Sequence, residues 1–167
     1  MRINVSGLLK SSLGTKRDYP IDDNVNIGDN KSRVWGEVSL VRTNRGILAE
    51  ADLSAEVEVT CCRCLQPFTA NLALNFEEEY FPVIDIFSGA SLILPEEPGC
   101  FTIDARHTLD LTEAVRQYIL LAIPMKPLCR EDCAGLCPVC GRNLNDDKCN
   151  CSVQEIDPRW SQLGKLL

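Results

Sequence analysis

The sequence predicts an α+β fold, a mostly antiparallel β domain with one main helix at about residues 110–123 and a cysteine-rich C-terminal segment. Three observations carry this expectation. Ile47, Ala49, Ala51, Leu53, Ala55, Val57 and Val59 alternate with Leu48, Glu50, Asp52, Ser54, Glu56 and Glu58, the period of a half-buried strand. Leu111, Ala114, Val115, Tyr118, Ile119 and Ala122 recur at helical spacing. Eight of the ten cysteines stand in short-spaced pairs: Cys61/Cys64, Cys129/Cys133, Cys137/Cys140 and Cys149/Cys151.

Taken in order, Arg2–Leu9 alternates polar and apolar residues and reads as a first strand. Residues 10–31, rich in Ser, Gly, Asp, Asn and Lys, read as a long loop. Arg33–Thr43 reads as a strand with Val34, Val38 and Leu40 on one face, and Asn44-Arg45-Gly46 supplies a turn into the Ile47–Val59 strand. Cys61–Pro67 breaks the pattern. Phe68, Ala70, Leu72, Leu74, Phe76, Glu78 and Tyr80 resume it as an antiparallel partner, so a cysteine knuckle sits at the hairpin tip. Residues 82–100 hold three Pro and two Gly and read as a loop before a short strand at Phe101–Ile103. Asp110-Leu111-Thr112-Glu113 fits a helix N-cap with an acid three residues on, and Pro124 and Pro127 stop the helix. Asp157-Pro158-Arg159-Trp160 opens a short final helix whose apolar face is Leu163, Leu166 and Leu167. The expected organisation is a β-rich part with the main helix, residues 1–127, and a cysteine-rich part, residues 128–167, packed as one unit.

The chain has 167 residues, enough to bury a core without staples, so ten cysteines exceed what stability needs. Met1–Leu9 lacks the apolar stretch of a secretory leader. Apolar runs such as Tyr118–Ile123 fall far short of the ~20 residues of a membrane span. The expected compartment is therefore the reducing cytoplasm, where clustered cysteines indicate metal rather than disulfides. Zinc is the expected ion, one or two per chain, because it takes four soft thiolates in a tetrahedron. Cys137-Pro138-Val139-Cys140-Gly141 has the form of a zinc knuckle, and the turn formers Asn143, Asn145 and Asp146 let Cys149 and Cys151 return to it. Cys61 and Cys64 need two more ligands. Cys129 and Cys133 are natural donors, brought back by the break at Pro124–Pro127. The alternative is a C-terminal site that mixes Cys129 or Cys133 with the later pairs and leaves Cys61/Cys64 as a reduced dithiol. Cys62 reads as a bystander and Cys100 as a core thiol.

Net charge is −7, and residues 71–113 hold nine acids against Arg106 alone. This is not the footprint of a protein that grips nucleic acid phosphates broadly, so any RNA contact is expected to be local. Arg63, Arg142, Arg159 and Lys165 are the candidates, and Trp160 either stacks on a base or packs on the core. Glu77–Glu79 reads as a solvated edge or a docking surface for a basic protein. The single histidine, His107, precedes the helix and suits a surface or capping role. No Ser/His/Asp set assembles and catalytic zinc prefers His or carboxylate ligands, so a non-enzymatic role is expected.

The cysteine motifs resemble a known family. Cys61-Cys62-Arg63-Cys64-Leu65-Gln66-Pro67-Phe68 is similar to the Cys-x-Arg-Cys-Leu-x-Pro-Phe motif of the YceD-like proteins, named for large-subunit ribosomal RNA accumulation. Leu120–Pro124, Pro127-Leu128-Cys129, Asp132–Gly141, Asn143-Leu144-Asn145 and Asp157–Trp160 extend the resemblance over roughly residues 47–167. It implies a zinc-binding branch, a role in making or keeping large-subunit ribosomal RNA, and an older site that pairs Cys61/Cys64 with Cys129/Cys133. Partners implied are ribosomal RNA or a large-subunit assembly intermediate, with a basic ribosomal protein beside it and no membrane. The competing reading, from another class, is a thiol-disulfide oxidoreductase using Cys61 and Cys64, which requires an accessible low-pKa thiolate.

Overall fold

The structure is a computed structural model that describes residues 1–28, 30–95 and 99–151. The chain divides into two compact units, Met1–Val59 with Thr69–Met125, and Thr60–Phe68 with Lys126–Leu167. The first knuckle thus groups with the cysteine-rich chain rather than with the strands that flank it.

Among the described residues the first unit is built on seven strands and two helices: β1 (Arg2–Asn4), α1 (Ser6–Leu9), β2 (Lys16–Ile27), β3 (Asn30–Arg42), β4 (Ile47–Thr60), β5 (Pro67–Pro82), β6 (Phe101–Ile103), β7 (Thr108–Asp110) and α2 (Thr112–Ala122). The strands form one sheet in the order β1-β7-β6-β5-β4-β3-β2. The β5–β6 pair runs parallel, Tyr80 opposite Phe101, so the sheet is mixed. It curls until its two edges approach: the Met1 ammonium, leading into β1, lies 3.4 Å from Asp23 of β2.

The alternation along β4 buries Ile47, Ala49, Ala51, Leu53, Ala55 and Val57. Val34, Val38 and Leu40 of β3 and Leu72, Leu74, Phe76 and Tyr80 of β5 face the same core. Between Val34 and Val38 stands Gly36 at φ +141, where a Cβ would lie 2.3 Å from the Asp52 carbonyl oxygen. Only glycine lets β3 and β4 meet there. Helix α2 closes the core with Ala114, Val115 and Ile119. Ile123 is extended (ψ 123), as the residue before Pro124 must be, and ends the helix.

Several expectations are corrected. Arg2–Leu9 is not one strand. It pairs only through Asn4, after which the Asn4 side chain accepts bonds from the Ser6 N–H and hydroxyl and a single helical turn buries Leu8 and Leu9. Residues 10–31 are not a long loop, since most of them form β2, paired with β3 from Lys16↔Val41 to Ile27↔Asn30. An edge strand is held by backbone bonds and needs little apolar surface, so only Val25 of β2 is fully buried and its polar side chains hid it. The expected capping box also fails to form. Asp110 accepts the Thr112 N–H at 2.9 Å, but Glu113 binds Arg116 and Gln117 instead of reaching back. Cys100 is half-buried rather than in the core.

Candidate metal centres

Two tight turns organise the second unit. In the first, the Cys61 N–H donates to Gln66 O at 2.9 Å and the Leu65 N–H to Cys61 O at 3.0 Å. In the second, the Cys137 N–H donates to Arg142 O at 2.8 Å and the Gly141 N–H to Cys137 O at 2.9 Å. The two knuckles are the same turn twice. Each needs a left-handed residue after its second cysteine, and the chain places Leu65 (φ 57) in one and Gly141 (φ 71) in the other. For a residue with a Cβ that conformation costs about 1 kcal/mol.

The first knuckle meets the chain after Pro127. The Cys62 N–H donates to Pro127 O at 2.9 Å, and Phe68 and Leu128 pack against Cys61, Cys64 and Cys133. Cys61 Sγ lies 3.8 Å from Cys133 Sγ, and Cys64 Sγ lies 3.7 Å from Cys129 Sγ. All four sulfurs fall within 4.8 Å of one another. A disulfide would require about 2.05 Å. The edge of a tetrahedron with Zn–S bonds of ~2.3 Å is ~3.8 Å, so the spacing is that of four thiolates around one ion. The sulfurs of Cys137, Cys140, Cys149 and Cys151 form a second such group, also within 4.8 Å of one another. Cys129 and Cys133 therefore join Cys61 and Cys64 and do not mix with the later pairs.

The electrostatics suit a cation. The backbone N–H of Cys64 holds the Cys61 thiol down at about 6. The N–H groups of Cys140 and Val139, the latter 3.4 Å from the sulfur, hold Cys137 at about 6. Desolvation and the neighbouring Cys133 push Cys129 up to about 12. Cys140 beside it and desolvation push Cys151 up to about 12. The first cluster thus favours the thiolates of Cys61 and Cys133 and the second that of Cys137, while Cys129 and Cys151 resist ionisation, because four sulfurs this close cannot all ionise alone. A dication removes that repulsion. Four thiolates around one ion would leave no open coordination position.

Asn145 joins the two centres. It lies between Cys140 and Cys149, yet its Nδ2 donates to Cys133 Sγ of the first cluster at 3.3 Å. Its Oδ1 accepts the Ala134 N–H at 2.8 Å and Arg130 Nη2 at 2.6 Å. Leu144 N–H to Gly135 O at 2.9 Å and a bridge between Leu136 and Asn143 complete the junction. The sequence marks Asn145 as a turn former and as part of the Asn143-Leu144-Asn145 motif, and nothing in the spacing reveals that it serves the other cluster.

Arg63 is exposed but spends Nη1 on the Cys133 carbonyl at 3.0 Å and the Glu131 carbonyl at 3.4 Å. Arg142 is exposed beside Lys148, Cys140 and Cys149 around a shallow cleft. Arg159, Trp160, Lys165 and the short final helix lie outside the described residues. In the first unit, Glu78 accepts the Tyr118 hydroxyl and Glu79 the Thr43 hydroxyl, which leaves Glu77 as the exposed acid of the three. His107 is half-buried, and its side chain makes no cap to α2. It sits in a turn at φ 58, its N–H on Asp104 O and its carbonyl accepting the Val5 N–H.

Residues 49–167 match the family described as large ribosomal RNA subunit accumulation protein YceD. An uncharacterized protein of Mycobacterium tuberculosis is 31% identical over 124 residues, 74% of this chain and 57% of that protein. A Zea mays protein named large ribosomal RNA subunit accumulation protein YCED homolog 1, chloroplastic, is 28% identical over 155 residues, 77% of this chain and 53% of that protein. The Arabidopsis thaliana protein of the same name is 36% identical over 58 residues, 35% of this chain and 18% of that protein. The chain spans little more than half the length of the mycobacterial relative. No solved structure matches. Among the described residues no helix is long and apolar enough to cross a membrane.

Proposed function

We propose a function from one premise: this chain belongs to the family of the large ribosomal RNA subunit accumulation protein YceD. The protein is a non-catalytic zinc-binding factor in large-subunit ribosomal RNA accumulation, maturation or ribosome assembly, working in the cytoplasm. The observation that carries the non-catalytic part is the closure of both cysteine groups. Each offers four sulfurs within 4.8 Å of one another and no histidine or carboxylate, the donor set of structural rather than catalytic zinc. Cys61, Cys64, Cys129 and Cys133 would hold one ion, and Cys137, Cys140, Cys149 and Cys151 the other. Bound zinc would fix the chain after Pro127, whose polar composition gives it little core of its own.

The oxidoreductase reading finds a depressed Cys61, as it requires. It is disfavoured because Cys61 is 0% and Cys64 3% exposed, so neither sulfur can attack a substrate disulfide. The partner is a large-subunit precursor, met through local cations such as Arg142 and through acids that suit a basic protein. Sedimentation of cell extract tests the reading. The protein should co-migrate with large-subunit precursors, and protein found only at the top of the gradient would overturn it.

A further inference from the structure

The loop between Cys140 and Cys149 has no core of its own. Gly141–Lys148 contains no buried residue, so its position is set by its two ends and by its polar contacts. Each end is a cysteine of the second group. The contacts reach the first group instead. Asn143 Oδ1 accepts the backbone N–H and Nδ2 of Asn145 and fixes the direction of that side chain. Asn145 Nδ2 also donates to Cys133 Sγ at 3.3 Å, while Oδ1 accepts Arg130 Nη2 at 2.6 Å and the Ala134 N–H at 2.8 Å. Arg130 follows Cys129 and Ala134 follows Cys133, so one side chain braces the backbone beside two sulfurs of the first group. The Leu144 N–H donates to Gly135 O at 2.9 Å, inside the short segment that runs from Cys133 of one group to Cys137 of the other.

The two groups differ in access. In the first, Cys61, Cys64 and Cys133 are buried, whereas in the second only Cys137 is. The second group is therefore the one that meets the medium. When it is empty, both ends of the Gly141–Lys148 loop are released, and the conformational freedom they gain opposes the docking of Asn145. Cys133 then loses a donor to its sulfur. We propose that the two groups are coupled through Asn145, so that zinc held by Cys137, Cys140, Cys149 and Cys151 tightens zinc held by Cys61, Cys64, Cys129 and Cys133. The open group senses the free zinc of the medium, and the buried group, which fixes the first knuckle, responds. Such coupling is reciprocal, so the first ion tightens the second by the same factor. The inference rests on the zinc reading above and adds that the two ions are not held independently.

Competition for zinc between the full chain and a chromogenic chelator tests the coupling. Cadmium in place of zinc gives each group its own magnetic-resonance line, which assigns every loss to its group. The double variant Cys149→Ser/Cys151→Ser leaves the first group all of its sulfurs and should weaken its affinity about tenfold, the range of outer partners of metal ligands. Asn145→Ala keeps every ligand sulfur. It should weaken both groups by a similar factor, although Asn145 touches a sulfur of only the first, because coupling is reciprocal. In the Cys149→Ser/Cys151→Ser background Asn145→Ala should change the first group less than about twofold, since there Asn145 is already undocked. A loss confined to the first group in Asn145→Ala would overturn the coupling and leave the zinc reading intact. So would a first group that holds zinc equally well whether the second is filled or empty. A parent that binds no zinc sinks both.

Discussion

Asn145 Nδ2 donates to Cys133 Sγ at 3.3 Å, so a residue in the loop of one cysteine cluster stabilises a sulfur of the other. The bond favours the thiolate of Cys133, whose pKa is lowered with Asn145 as a cause although desolvation opposes it. Outer partners of this kind typically alter metal affinity 10–100-fold. Asn145→Ala should therefore lose zinc from the first centre roughly tenfold more readily, measured by competition with a chromogenic chelator. Equal release from parent and variant would show that the contact carries no weight.

The protein should carry two zinc ions per chain, one for each group of four sulfurs. Elemental analysis of freshly reduced protein checks this. Cys137→Ser should lose one equivalent and open the chain after Gly135 to protease. It should spare the first unit, whose core is a separate set of buried residues. Visible absorption from an iron–sulfur cluster would contradict the zinc assignment.

Gly141 occupies at φ 71 the place that Leu65 fills in the other knuckle. Space is not the constraint, because a Cβ at Gly141 would meet nothing within 4 Å. Gly141→Ala should cost about 1 kcal/mol through backbone strain alone. Chelator-driven unfolding of the second centre would register it.

Tyr118 stacks on Phe76 with ring centroids 4.2 Å apart and donates its hydroxyl to Glu78 at 2.7 Å. Tyr118→Phe should keep the stack and lose about 1 kcal/mol with the hydrogen bond. Tyr118→Ala should cost more, because it removes the stack as well. Denaturant melts of the two variants separate the contributions.

Asp110 accepts bonds from Thr112 and Arg2, and the Met1 ammonium lies 3.8 Å away. Partial burial opposes ionisation, but these partners hold the carboxyl at about 2. The folded value lies below the unfolded one, so the contribution is full above about pH 4 and fades as pH falls toward 2. Because the side chain is 41% exposed, it is worth about 1 kcal/mol after solvent screening. The stability gap between parent and Asp110→Asn should show that profile in melts across pH. A gap independent of pH would rule it out.

The elements with strong periodicity were legible from the order of residues along the chain. Seven alternating positions in Ile47–Val59 announced β4, because one face of a sheet must be dry. The spacing of Leu111 to Ala122, stopped by Pro124, announced α2 for the same reason. The same order of residues also determined that the cysteines come in pairs, since a knuckle is a local turn whose bonds span only six residues. Tertiary structure alone decided the rest. It made β2 a strand, because edge pairing uses backbone groups that every residue carries. It turned Phe101–Ile103 parallel to β5, a direction no short segment encodes. It brought Cys129 and Cys133 to Cys61 and Cys64, one of the two arrangements the chain left open, and set Asn145 against Cys133, because partners 65, 72 and 12 residues apart are selected by packing and not by spacing.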